Sequence, residues 1–293
     1  MTDFDASSLI GLSSSENDLL DARRANAYRV LIGLEESEPC LALHWMLFGR
    51  FEAARKTDGT PASLKPLPVI PFPRRMWAGG WLRWHAPLPL DVRLTRTTRV
   101  TQAAVKEGRT GTILFVSFGR DVSTDGGERL VEEQHDYAFL PGDARPGSAK
   151  GEPPAFSPDW SRRRQSDSVE LFRYSALTAN SHRIHYDEPY SREVEHYAGL
   201  VVHGPLLATL LMQECARRQG QEPELFRYRA VRPTIVSEGF ELIGHALSGH
   251  ESELAVAGDD GLLRMTATMS FRAQSNARGR GHGRASSSEA NEP

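Results

Sequence analysis

The stretch LVVHGPLLATLLMQECAR, residues 200–217, decides how the chain is read. An apolar, extended run ends at His203 and meets a helix at Gly204-Pro205, predicted to continue to Arg217. Proline suits the first helical turn because its missing N–H would have had no partner there. Glycine before it lets a ligand come close to the backbone. The unpaired N–H groups and the positive end of the helix dipole then face whatever lies at that corner. A carbonyl oxygen gaining charge would be stabilised there. The same residues also suit an ordinary helix start that binds nothing.

Downstream, runs of period two predict strands over 226–236, 240–248, 253–257 and 262–271, with a turn at Gly258-Asp259-Asp260-Gly261. The first half of the chain has the same ingredients in the same order. Helical spacing covers 19–34, stopped by Gly33, and a second short helix is expected over 41–48. Five prolines between 56 and 73 make that connection extended. Alternation begins at Leu82 and continues past Val92; strands follow at 110–122 and 129–140 around the turn Thr124-Asp125-Gly126-Gly127. The matching turns point to a duplicated unit of helix plus antiparallel sheet. The expected organisation is a disordered segment 1–18, a first half 19–140, a linker 141–165, a second half 166–273 and a disordered tail 274–293.

Composition narrows the function. The 293 residues are 39% hydrophobic and 25% charged, enough for a core under a solvated surface. Thirty-five Lys and Arg against 38 Asp and Glu give a net charge of −3, which offers neither a nucleic-acid footprint nor a polybasic membrane anchor. No apolar stretch approaches the ~20 residues that span a bilayer. Two cysteines, Cys40 and Cys215, fit a reducing compartment and argue against a disulfide framework. The expectation is a cytoplasmic protein.

The densest polar constellation is Ser175-Ala-Leu-Thr-Ala-Asn180-Ser-His182-Arg183-Ile-His185-Tyr-Asp187, followed by His203-Gly204. A histidine with a pKa near neutrality can take a proton from water and return one to carbon, and His185 is placed for that role. Asn180 could reach the same water if the segment crosses over instead of forming a helix. Two other readings compete. His182 and His185 also suit structural, hydrogen-bonded positions. His182, His185, Asp187 and His203 are all zinc-ligand types, but neither a cysteine pair nor His-Glu-x-x-His spacing supports a metal site.

The stretch from Phe172 to Leu211, with Asn-Ser-His-Arg-Ile-His-Tyr-Asp (180–187) and Pro-Arg-Arg-Met-Trp-Ala-Gly-Gly (73–80), resembles the MaoC-like (R)-specific hydratases of the hot-dog superfamily. It is most similar to the subgroup acting on mesaconyl-C4-CoA (3-methylfumaryl-CoA) and on mitochondrial 3-hydroxyacyl thioesters. The resemblance implies an α+β double hot-dog fold, two antiparallel sheets each wrapped around a central helix, with catalysis in the second half. It implies His185 as acid–base residue, Asn180 in the place of the wider family's Asp as a water-orienting amide, and the Gly204 N–H as donor to the thioester oxygen. His182-Arg183 replaces the usual Asn-Pro and puts a cation near the site. Arg183, His182 and His203 are expected near the substrate, and Arg74 and Arg75 on CoA phosphate.

The implied activity is reversible addition of water to a 2-enoyl-CoA, without a cofactor or metal. The implied partners are an acyl-CoA substrate and a second copy in a homodimer. Arg183 points to a dicarboxylic acyl group of the mesaconyl type, with a CoA phosphate or a protein carboxylate such as Asp187 or Glu188 as its alternative partner. A thioesterase, a 3-hydroxyacyl carrier-protein dehydratase and a non-catalytic acyl-CoA-binding module are the alternatives.

Overall fold

The computed structural model describes residues 4–49, 51–108, 111–142 and 151–273. The expected tail and the middle of the expected linker, 143–150, lie outside them. The first half runs β1 (Ser13–Leu19), α1 (Ala22–Ile32), β2 (Arg74–Trp84), β3 (Arg93–Gly108), β4 (Gly111–Thr124) and β5 (Arg129–Leu140). The second runs β6 (Trp160–Arg164), α2 (Ser168–Thr178), α3 (Glu188–Glu193), α4 (Gly204–Gln219), β7 (Pro223–Ala230), β8 (Phe240–Ser248), β9 (Glu251–Gly258) and β10 (Leu263–Phe271).

All ten strands join one sheet in the order β1-β3-β4-β5-β2-β7-β10-β9-β8-β6. Read outward from the central β2–β7 pair, the two sides carry their strands in the same chain order. Every pairing is antiparallel. Each half is therefore one copy of a five-stranded unit, and β2–β7 is the seam.

Two expectations are corrected by this symmetry. The segment 1–18 is not featureless: it holds a 3-10 turn at Ala6–Leu9 and most of β1, which pairs along β3 from Ser13↔Arg99 to Leu19↔Arg93. The linker 141–165 likewise contains β6, paired to β8. Both are short outermost strands of polar residues, SSSENDL and WSRRR, whose exposure alternates. That is the composition edge strands use to resist further pairing, and it hides them from a search for apolar alternation. Strand β2 also begins at Arg74 instead of Leu82, and the expected strand 226–236 stops at Ala230.

Helix α4 fills the centre of the second half. Every residue from Leu206 to Ala216 is buried, the pattern of a helix apolar on all sides. Burying Leu206, Leu207, Leu210, Leu211 and Met212 stabilises the fold by ~1.5–3 kcal/mol each. The one carboxylate in that stretch, Glu214, is met by Arg162 at 2.6 Å and by Arg217 and Arg218 at 2.7 Å. The core it enters is continuous with that of the first half through Leu82, Leu94 and Leu130. Tyr28 of α1 reaches Thr209 of α4 at 3.2 Å.

The first half differs from expectation at the corresponding point. Between α1 and β2, where the second half has α4, the described residues form only a 3-10 turn at Leu43–Met46, shorter than the helix expected over 41–48. That turn sets His44 Nε2 at 3.1 Å and Trp45 Nε1 at 2.7 Å from the buried Glu133 carboxylate. No described helix is long and apolar enough to cross a membrane.

Candidate active site

Helix α2 is capped by Asp167, whose carboxylate accepts from the Glu170 N–H, and ends with Ala179 in the left-handed region at φ 52°. The Asn180 N–H closes the end on the Ser175 carbonyl at 2.9 Å. The chain then crosses from the helix end into a 3-10 turn at Arg183–His185. A loop of the first half clamps this crossing. The Arg183 N–H donates to the Asp58 carbonyl at 2.8 Å, and Ser181 Oγ donates to the Gly59 carbonyl at 2.6 Å. Gly59 has φ 85°, and a Cβ there would lie 2.2 Å from the Ser181 carbonyl oxygen. Only glycine allows that approach.

His185 is buried, and its Nδ1 lies 2.7 Å from the Val201 carbonyl oxygen. A carbonyl only accepts, so Nδ1 carries the proton and Nε2 is left as the basic nitrogen. Val201 is itself fixed by its N–H on the Ile184 carbonyl at 2.9 Å, and Val202 by the Thr234 carbonyl at 2.8 Å. Three residues after Val201, α4 begins at Gly204 with Pro205 in its first turn. Its N-cap, His203, makes no side-chain cap, so the first N–H groups keep the donor capacity of an uncapped helix start. One tetrapeptide, Val201–Gly204, thus sets the tautomer of the histidine and supplies the amide corner.

Electrostatics differ from the near-neutral pKa expected for His185. Burial, reinforced by the charge of His182, pushes it down to about 3 against the opposing Val201 hydrogen bond. Burial likewise pushes His182 down to about 4; Asp58 opposes this, and Arg75, Arg74 and Lys56 add to it. His203 is held well below the usual imidazole range, chiefly by burial. All three rings are neutral at pH 7.

His203 is held inside the protein. It is fully buried, its Nε2 lies 2.9 Å from Ser175 Oγ, and its ring stacks on His185 at 3.6 Å and 19°. Its ring thus lies behind that of His185. His182 packs edge-on against His185 at 5.7 Å. Asn180 accepts the His182 N–H at 3.2 Å through Oδ1. It also lines a cavity of about 400 Å³ with Ser175, Ala176, Phe172, Phe51 and Arg55. Neither His185 nor Gly204 lines that cavity; Ser175, through its bond to His203, connects the two.

Arg183 is engaged by the protein. Its Nε and Nη2 donate to Asp187 Oδ2 at 2.9 and 2.8 Å, its Nη1 donates to the Thr57 carbonyl, and it lies 4.0 Å from the Tyr190 ring centroid. The expected anionic partner is thus Asp187. Arg74 pairs with Glu195, while Arg75 lies over Tyr137 at 5.7 Å. With Lys56 they form a basic flank whose charge acts on His182. Of the four residues considered as zinc ligands, Asp187 is committed to Arg183, His203 to Ser175 and His185 to Val201. Among the described residues no group of three His, Cys, Asp or Glu is arranged to hold a metal.

Sequence reasoning missed Ser175, the Val201 carbonyl and Trp77. Ser175 and Trp77 both stood inside the quoted motifs, but only the fold gives them contacts. A Cβ placed on Gly204 would lie 2.6 Å from Trp77 Cε3, so an indole from the first half rests directly on the helix start.

Residues 42–236 match the family of hydroxyacyl-thioester dehydratase type 2. The chain is 37% identical over 231 residues to the mesaconyl-C(4)-CoA hydratase of Chloroflexus aurantiacus, covering 77% of this chain and 81% of that protein. It is 26% identical over 219 residues to the mitochondrial hydroxyacyl-thioester dehydratase type 2 of Schizosaccharomyces pombe, covering 64% and 70% respectively. Among solved structures, a MaoC-like dehydratase superposes with a TM-score of 0.71 at 13% identity, over 92% of this chain and 99% of that one. A Mycobacterium tuberculosis protein described as having a double hotdog fold superposes at 0.56 and 12% identity, over 89% and 96%. These two likenesses establish the double hot-dog architecture.

Proposed function

The chain belongs to the hydroxyacyl-thioester dehydratase type 2 family, and from that premise we propose that it is a hydro-lyase adding water reversibly to the double bond of a 2-enoyl-CoA. The observation that carries the reading is the Val201–Gly204 segment, which fixes a basic Nε2 on His185 and opens a helix start beside it. With the thioester oxygen on the Gly204 N–H, water held by Asn180 attacks C3. The new O–C3 bond forms as the water proton passes to His185 Nε2, and the C2=C3 pair shifts toward the thioester oxygen. His185 then returns the proton to C2. Its low pKa leaves the ring neutral in the free protein but a weak base, so the negative charge developing on the thioester must favour the imidazolium during reaction.

The 37% identical relative supports a short acyl group of the mesaconyl type. Because Arg183 is committed to Asp187, that preference does not depend on it. The basic flank of Lys56, Arg74 and Arg75 suits CoA phosphate. A cytoplasmic homodimer is part of the same reading. Free Cys40 and Cys215, whose thiols burial pushes up to about 12 and about 11, suit a reducing compartment.

The test is a panel of crotonyl-CoA, mesaconyl-C4-CoA and longer 2-enoyl-CoA thioesters, followed by loss of the conjugated thioester absorbance and, in parallel, by thiol release. Hydration without thiol release is expected. Thiol release alone would make the protein a thioesterase, and binding without either would make it a non-catalytic module.

A further inference from the structure

Trp77 belongs to the first half, yet it touches the amide corner of the second. Strand β2 pairs with β7 from Gly79 to Arg83, and its register against β5 shifts between Trp77 and Gly79. Such an irregularity re-aims a side chain, and here it falls where β2 leaves the seam. The indole edge then contacts Gly204, where an added Cβ would lie 2.6 and 2.9 Å from Cε3 and Cζ3.

The ring is held from three sides. Nε1 donates to His135 Nδ1 at 2.9 Å, and His135 Nε2 faces the Glu133 carboxylate at 2.8 Å. Tyr228 stacks on the indole at 4.6 Å and 21°, and Trp45 meets it edge-on at 6.3 Å. Glu133 also receives Trp45 and His44 and is kept ionised, its pKa well below the carboxylate range through the charges of His135 and His44 despite burial. The hydrogen bond to His135 and the stacking on Tyr228 keep the indole in place against Gly204.

We propose that Trp77 is the specificity-determining wall of the acyl subsite, admitting short acyl groups and excluding long ones. The inference rests on the reading that the thioester oxygen binds at Gly204. Acyl atoms attached to a carbonyl at that corner lie beside the indole, and a long chain would need the space that Trp77, Tyr228 and Trp45 occupy.

The test measures binding of butyryl-CoA and decanoyl-CoA by calorimetry to wild type, Trp77→Ala and Trp77→Phe. Both ligands are saturated, so the result stands whether or not the protein hydrates anything, and failure of the hydratase reading is seen separately with crotonyl-CoA. Wild type should favour butyryl-CoA. Trp77→Ala should move the affinity ratio toward decanoyl-CoA by ~10-fold or more, the scale on which pockets discriminate alkyl size. Trp77→Phe, which keeps a ring against Tyr228, should stay near wild type. If Trp77→Ala does not fold, Trp77→Leu reads the same ratio. A wild-type preference for decanoyl-CoA, or equal weakening of both ligands in the folded variant, would overturn the proposal.

Discussion

His185 and His203 lie face to face with ring centroids 3.6 Å apart, the first joined to the Val201 carbonyl and the second to Ser175 Oγ. In the proposed mechanism the first imidazole is the base and the second its backing plate. Removing the base, His185→Ala, should lower turnover by ~10²–10⁴, the range for a general acid–base residue, with the fold retained by circular dichroism. A folded variant with most of its activity would end the proposed mechanism.

The backing ring should act on rate more than on binding. His203→Leu removes the Ser175 bond and leaves His185 free to tilt, so kcat for crotonyl-CoA should fall ~10-fold or more while KM changes little. Ser175→Ala should do the same more weakly. A rise in KM at unchanged kcat would instead place His203 on the substrate.

The depressed histidine pKa values fix the sign of two pH effects. His185 and His182 are neutral in the folded protein down to about 3 and about 4, but the unfolded chain binds these protons near 6.5. Between those limits the unfolded state holds more protons. Stability is therefore full above about pH 6.5 and falls on acidification by up to ~1.4 kcal/mol per pH unit for each such group. Urea midpoints at pH 7.5 and 5 should show the decline. Over the same range kcat/KM, which reports the free enzyme, should lack the inflection of an ordinary imidazole near pH 6.5. An inflection there would mean that His185 is not the buried ring described.

The contact between Gly204 and Trp77 is testable by coupling. Gly204→Ala forces a methyl into the indole and should destabilise by ~1–3 kcal/mol. Because Trp77→Ala vacates that space, the double variant should be more stable than the two single effects predict. Simple additivity in thermal or urea unfolding would show that the two groups do not touch.

Arg183→Met should cost no more than ~1 kcal/mol of stability, since the Arg183–Asp187 pair is partly exposed and screened. It should also change crotonyl-CoA and mesaconyl-C4-CoA turnover alike. A selective loss on the dicarboxylic thioester would show that Arg183 leaves Asp187 to bind the substrate.

The helix start at Gly204-Pro205, the strands of alternating Val, Leu and Phe, and the matched turns at Thr124–Gly127 and Gly258–Gly261 were legible in the sequence because local chemistry specifies them. The motif that holds His185, Asn180 and Gly204 was compact enough to resemble a family. The edge strands β1 and β6 were not legible, because polar residues take up extended structure there only when β3 and β8 offer their free edges. The low pKa of His185 was equally hidden, since burial is a property of the packed chain and not of the residue. The sequence left Arg183 between a substrate anion and a nearby carboxylate such as Asp187, and only the fold shows the pair with Asp187 formed. Trp77 is the plainest case. It precedes Gly204 by more than a hundred residues, and only the β2–β7 seam between the two halves, with the buried His135–Glu133 pair behind it, brings its indole onto the amide corner.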